Sequence, residues 1–208
     1  MANDISLIKQ YFPEISAKQE QQFADMQALY HEWNEKINVI SRKDMDNFYE
    51  RHVLHSLAIA KVVQFTEGTK IVDVGTGGGF PSIPLAVLFP QVQIHAVDSI
   101  GKKIKVVSEV TKVLKINNLT TEQTRSEDHK LKYDFVVSRA VADITTFYQQ
   151  TKHLLKPMQQ TLAGGYLCLK GGDLLQEFAN FRHHFKVYHI KDWFEGEFFE
   201  TKKVVYIR

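Results

Sequence analysis

The segment Ile71-Val72-Asp73-Val74-Gly75-Thr76-Gly77-Gly78-Gly79-Phe80-Pro81 constrains this chain most. A short apolar run leads into Gly75, Gly77, Gly78 and Gly79, and a second apolar stretch follows at once. Glycine adopts positive φ at little cost and lets backbone approach a ligand closely. A helix that starts behind such a loop presents unpaired N–H groups to it. Strand, loop and helix in this order give a glycine loop its meaning. The dinucleotide spacing G-x-G-x-x-G fails, because the third glycine position, counted from Gly75 and Gly77, is Phe80. Asp73 stands just before the loop, where a carboxylate repels a pyrophosphate and attracts an ammonium group.

A second carboxylate extends the argument. Asp98 ends the next predicted strand, 98 − 73 = 25 residues after Asp73. An acid there can hold both hydroxyls of a ribose. One carboxylate near an amino acid's ammonium and another at a ribose describe S-adenosylmethionine. The competing reading is a tight strand-to-helix turn with solvent-exposed acids.

The surrounding pattern supplies the fold class. Phe23, Met26, Leu29, Tyr30, Trp33, Ile37 and Ile40 recur at helical steps behind Ser16 and Gln19, which resemble a capping box. A short leading helix over Ile5–Phe12 and a second long one over Asp46–Val63 are expected, the latter with Phe48, Val53, Leu54, Leu57, Ala58 and Val62 inward. Beyond Gly68, strands are predicted at Lys70–Val74, Val92–Val97, Leu119–Thr124, Tyr133–Ser138 and Gly165–Lys170. Helices are predicted at Pro81–Phe89, Lys102–Lys115, Ile144–Leu155 and Leu174–Phe181. Alternating strand and helix implies a doubly wound parallel sheet. The tail, Phe185–Ile190 and Lys203–Ile207 with no helix between, implies a final antiparallel pair. The fold class is therefore α/β, a Rossmann-like methyltransferase with a mostly parallel seven-stranded sheet and an N-terminal helical extension. The 208 residues divide into an extension over 1–67 and a core over 68–208.

Composition narrows the partners. The 26 Lys and Arg against 24 Asp and Glu leave a net charge of +2, too little for a stand-alone non-specific nucleic-acid binder. The longest apolar run, Ile83–Phe89, is far short of the roughly 20 residues a membrane span needs. The single cysteine, Cys168, excludes an intrachain disulfide and suits a reducing compartment, so a soluble cytoplasmic protein is expected. Its apolar neighbours Leu167 and Leu169 make it an inert core thiol rather than a nucleophile. His183, His184 and His189 have strand spacing and no accompanying acid cluster, and no metal is expected.

Several segments in fixed order resemble one family, the bacterial small-subunit (16S) ribosomal RNA guanine-N7 methyltransferases, also called glucose-inhibited division protein B. They are Trp33-Asn34-Glu35-Lys36-Ile37-Asn38, Arg51-His52-Val53-Leu54-His55-Ser56, Asp73-Val74-Gly75-Thr76-Gly77, Phe80-Pro81-Ser82-Ile83-Pro84, Asp98-Ser99 with Lys102-Lys103, Ser138-Arg139-Ala140 and Leu169-Lys170-Gly171. The resemblance implies transfer of a methyl group from S-adenosylmethionine to guanine N7 in 16S ribosomal RNA, presented within the small subunit or its precursor. It implies cofactor contacts at Gly75 and Phe80, an adenine-side pair at Ser126 and Glu127, and an active-site arginine at Arg139. The cofactor-binding set is then Asp73, Gly75, Gly77, Phe80, Asp98, Ser126, Glu127 and Arg139. The chain departs from the family at His55, where aspartate is usual, and at Gly78, where proline is common.

Guanine N7 carries an in-plane lone pair and no proton, so alignment suffices and no general base is needed. Arg139 is the expected catalytic residue; an ion pair with Asp143 competes with that role. Lys170, at a strand end, could hold a phosphate or simply be solvated. Asn38, Arg42, Arg51 and His52 on the extension, with Lys102 and Lys103 on the second core helix, could contact RNA or form a solvated charged face. No obligate protein partner is evident, and a monomer is compatible with the sequence. Three rivals stand: a small-molecule methyltransferase, a nicotinamide oxidoreductase disfavoured by Phe80, and a non-catalytic S-adenosylmethionine-binding module.

Overall fold

The computed structural model describes residues 4–139, 143–157 and 164–208, and the side chain of Arg42 lies outside the described residues. The amino-terminal part is helical: α1 (Ile5–Tyr11), α2 (Ala17–Lys36), the single turn α3 (Arg42–Met45), a π-helical turn over Tyr49–Leu54, then α4 (His55–Leu57) and α5 (Ile59–Val62). The rest alternates β1 (Lys70–Val74), α6 (Ser82–Leu88), β2 (Gln93–Asp98), α7 (Gly101–Val113), β3 (Leu119–Gln123), β4 (Phe135–Arg139), α8 (Ile144–Thr151), β5 (Gly165–Gly171) and α9 (Leu175–Phe178). Strands β6 (Phe185–His189) and β7 (Lys202–Ile207) close the chain.

The seven strands form one sheet in the order β3-β2-β1-β4-β5-β7-β6. The first five pair in parallel, and β7 pairs antiparallel with both β5 and β6. Side-chain alternation divides the core between the two sheet faces. Ile71, Phe135, Val137, Leu167 and Leu169 join one cluster with α2, α6 and α7. Val72, Val136, Tyr166 and Cys168 join the other with Phe147 and Phe178, from α8 and α9.

Local chemistry explains where the elements begin and end. Ser16 and Gln19 form the expected capping box on α2. The same Gln19 amide donates to the carbonyls of Val87 and Leu88, at the end of α6. Asn34 closes the turn after α2. Its Oδ1 accepts from the Val39 and Ile40 amides, and its Nδ2 donates to the Ile40 carbonyl. Helix α2 therefore stops at Lys36, and Ile37 and Ile40 follow it rather than extending it. Pro81 and Pro84 fall at the N-cap and in the first turn of α6, where their missing N–H groups cost little.

The regular helix expected over Asp46–Val63 is corrected. The π turn carries Arg51 and His52, and the helix resumes only at His55. The extra residue per turn rotates the following side chains, a distortion that concentrates at functional sites. The tail also holds two short 3₁₀ turns, Ile190–Asp192 and Glu197–Thr201, between the last two strands.

Candidate cofactor site

The parallel strands end on one edge of the sheet, and a cavity of 210 Å³ opens there. Val74 and Gly75 come from the end of β1, Val97 and Asp98 from the end of β2, and Thr124–Glu127 from the segment after β3. Larger hollows lie elsewhere; one of 580 Å³ between α2 and Met45–Asp46 has neither a strand end nor a glycine loop. Crevices at strand C-termini are where ligands of doubly wound sheets collect.

The loop path requires glycine at two positions beside this cavity. Gly75 has φ +69° and Gly77 has φ +57°. A Cβ built on Gly75 meets nothing within 4 Å, so the backbone leaves a cradle open on the cavity side. Asp98 is nearly buried. Its Oδ2 accepts from the Gly77 amide at 3.0 Å and its Oδ1 from the Ile100 amide at 2.9 Å. A carboxylate offers about four lone-pair sites, so two remain for a pair of vicinal hydroxyls. Ser126, which lines the same cavity as Gly75 and Asp98, donates to Glu127 at 2.9 Å. Gly75, Asp98, Ser126 and Glu127 are thus brought together as the sequence expected.

Asp73 stands elsewhere. It is fully buried and does not line the cavity. Its Oδ2 accepts from the Thr76 hydroxyl at 2.6 Å and the Ser82 amide at 3.1 Å, while its buried Oδ1 has no partner. Burial raises its pKa to about 6, against those hydrogen bonds. The carboxylate shapes the loop from beneath; the sequence placed it facing a ligand because both acids end strands.

Phe80 is likewise turned inward. Its ring is 1% exposed and packs against Tyr30 at 4.9 Å, His52 at 5.3 Å and Phe48 at 5.9 Å. Tyr30 also donates its hydroxyl to the Gly78 carbonyl. Each such aromatic burial contributes about 1.5–3 kcal/mol, and together they clamp the extension onto the loop.

Arg139, at the end of β4, lies over the Phe80 ring at 4.9 Å. Its Nη1 donates to His52 Nδ1 at 3.0 Å and to the Arg51 carbonyl at 3.5 Å. Burial draws its pKa down to about 10, opposed by the Asp73 charge, so it remains a cation at neutral pH. Burial, then the Arg139 charge, pull His52 down to about 3, which keeps it a neutral acceptor. The competing ion pair with Asp143 is not formed. Asp143 instead caps α8 through the Thr146 amide.

The expected RNA contacts divide. Asn38 and Lys102 are exposed and Lys103 is half-buried. Arg51 pairs with Asp44 at 2.6 Å and lies over the Phe198 ring. His52 is 8% exposed and occupied by Arg139, so a surface contact is corrected to a buried brace. Lys170 is 6% exposed and paired with Glu177, so neither a solvated strand end nor an open phosphate clamp describes it. His55, the departure from the resembled family, is buried edge-on against Phe198 at 5.4 Å and held neutral by burial. Cys168 is fully buried, and burial pushes its thiol up to about 12, as its apolar neighbours implied. No helix among the described residues is long and apolar enough to cross a membrane.

Known proteins resemble this chain over nearly its whole length. The family model described as rRNA small subunit methyltransferase G matches residues 19–203. A Bacteroides thetaiotaomicron protein named Ribosomal RNA small subunit methyltransferase G is 51% identical over 203 residues, 97% of this chain and 98% of that one. Its namesake from Phocaeicola vulgatus is 52% identical over 204 residues, 98% of each chain. Among solved structures, a SAM dependent methyltransferase from Aquifex aeolicus superposes with TM-score 0.57 at 16% identity, covering 77% of this chain and 91% of that one. M. jannaschii TYW2 in complex with AdoMet superposes with TM-score 0.56 at 17% identity, covering 83% and 78%. At such identities these structures establish a shared Rossmann-like methyltransferase fold.

Proposed function

The chain belongs to the rRNA small subunit methyltransferase G family, and on that premise we propose that it methylates N7 of a guanine in 16S ribosomal RNA, using S-adenosylmethionine. The substrate is RNA within the small subunit or its precursor, and the setting is the cytoplasm. One observation carries the reading: the cavity at the strand ends, lined together by the open Gly75 cradle, Asp98, Ser126 and Glu127. A nucleoside with a diol fits those donors and acceptors.

Gly75, Gly77, Asp98, Ser126 and Glu127 would hold the cofactor, with Asp98 accepting from the ribose hydroxyls. When bound, S-adenosylmethionine supplies a methyl group on a positively charged sulfur. Guanine N7 carries a lone pair and no proton, so accepting that methyl group would require no side chain of this chain to move a proton. The methylated guanine is cationic. Arg139 therefore serves best away from N7, on guanine O6, a phosphate or a carboxylate, where its fixed charge is attractive. Within the extension over 1–67, His52 and Tyr30 pack against Phe80 of the core over 68–208. Exposed Asn38 and Lys102 belong to the surface that meets RNA.

The direct test is mass mapping of methylated nucleosides in 16S ribosomal RNA from a deletion strain. Loss of a single 7-methylguanosine, restored by the gene, supports the reading; an unchanged map overturns it in favour of a small-molecule methyltransferase or a binding module. Calorimetry tests the cofactor half separately. Asp98→Ala loses up to two charge-assisted hydrogen bonds, each about 1.5–3 kcal/mol, so affinity should fall roughly a hundredfold. Near-normal affinity in a folded variant discards the ribose assignment.

A further inference from the structure

Outside the cavity lining, β2, β3 and the segment after β3 bring together His95, Glu122 and His129, and we propose that they bind a divalent transition-metal ion, with zinc the best fit. Glu122 Oε2 lies 3.1 Å from His95 Nε2 and 3.0 Å from His129 Nδ1. All three donor atoms fall within 4.8 Å of one another. A tetrahedral ion with bonds of about 2.0–2.1 Å separates its ligand atoms by roughly 3.3 Å, so the two Glu122 contacts need lengthen by only a few tenths of an ångström while the two imidazole nitrogens already lie within 4.8 Å of each other.

The outward nitrogens complete the case. His95 Nδ1 is 2.7 Å from the Thr120 hydroxyl, and His129 Nε2 is 2.8 Å from the Tyr133 hydroxyl. Histidine ligands characteristically donate their second N–H to such a neighbour, which orients the ring and fixes the tautomer. Here both outer partners are present, and both inner nitrogens face one carboxylate oxygen. The His95 and His129 rings stack at 5.0 Å, and the His153 ring nitrogen lies 3.0 Å from the His129 carbonyl, bracing the backbone. His129 is buried, whereas Glu122 is 47% exposed, so the cluster is reachable from solvent through the carboxylate. Two neutral imidazoles and a carboxylate suit zinc or its first-row neighbours rather than magnesium or calcium.

The position gives the site a consequence. His129 lies just beyond Thr124–Glu127, which wall the cavity. An ion holding His129 to β2 and β3 would tether that wall. The inference stands independently of the proposed methyl-transfer reaction.

The test is equilibrium dialysis of the full-length protein against zinc chloride, with cobalt(II) as an optical probe. One equivalent of zinc at micromolar affinity or better, with the visible bands of tetrahedral cobalt, is expected. His95→Gln and His129→Gln should each weaken binding at least tenfold, while His183→Gln/His184→Gln should not. Amide exchange across residues 124–133 should slow on adding zinc. His95 is on a partly exposed strand position, so His95→Gln keeps the test valid where His129→Gln fails to fold. Absence of binding, or binding indifferent to both substitutions, overturns the site.

Discussion

Strands β4 and β5 lie side by side in parallel, and each carries a cation at its C-terminal end. Lys170, on β5, is matched by a carboxylate: Glu177 holds its ammonium and also accepts the first amide of α8, from Ile144. Arg139, on β4, contacts neutral groups among the described residues, namely His52, the Arg51 carbonyl and the Phe80 ring, and feels the Asp73 charge without pairing with it. No carboxylate among the described residues comes within ion-pair distance of it. The lesson is one of charge accounting. Lys170 is internally neutralised and serves the fold, tying β5 to α8 and α9. Arg139 is held in place without being neutralised, so its attraction for an anion or a carbonyl remains available.

Four experiments would break or sharpen that contrast, and the largest effect belongs to the lysine. Lys170→Met strands Glu177 beside α8. Removing one partner of a buried pair costs about 3 kcal/mol, and chemical denaturation should register it. Methyl transfer per folded molecule should persist. A stable but inactive Lys170→Met would reverse the assignment of the two cations.

Arg139→Ala should show the opposite pattern. It should fold, by circular dichroism, and lose at least tenfold in transfer from labelled S-adenosylmethionine to precursor small subunits, about 1.4 kcal/mol. Arg139→Lys keeps the charge without the planar fork and should recover only part of that loss. Wild-type rates in folded Arg139→Ala would remove Arg139 from the site.

His52 supplies a pH signature. Its folded pKa, about 3, lies below its unfolded value near 6.5. Its stabilising contribution is therefore complete above pH 6.5 and is lost as pH falls toward 3. The slope should approach 1.4 kcal/mol per pH unit from this one group. His52→Gln, which keeps an acceptor for Arg139, should flatten the stability profile between pH 6 and pH 4. An unchanged slope would mean that His52 is not the neutral brace described above.

The smallest effect concerns Cys168, which pairs across to Ser138 one residue before Arg139. Cys168→Ala should cost about 1–2 kcal/mol in thermal unfolding and leave turnover intact at saturating substrate. Complete loss of transfer in the folded variant would bring a nucleophile back into the mechanism.

Much of the architecture was legible along the chain. All seven strands were expected from short runs alternating with helical segments, and Ser16 with Gln19 marked the start of α2. Gly75 and Asp98 were recognisable because loop and strand end are local features that carry their chemistry with them. The π turn was not legible, since Phe48, Val53, Leu54 and Leu57 satisfy an ordinary helical stripe equally well.

Local sequence determined this protein's elements, its glycine loop and the residue types at each strand end, because backbone propensity and side-chain period act over a few neighbours. Tertiary structure alone decided which of those residues line the cavity at the strand ends. Asp73 and Asp98 look alike in sequence, yet Thr76 and Ser82 bury the first while the cavity claims the second. Arg139 and Lys170 look alike too, and are separated by Glu177 on one side and His52 on the other. His95 and Glu122 stand 27 positions apart and meet only because β2 and β3 are adjacent in the sheet. Charge and burial depend on what the fold brings within a few ångströms, and that distance is set by packing rather than by position along the chain.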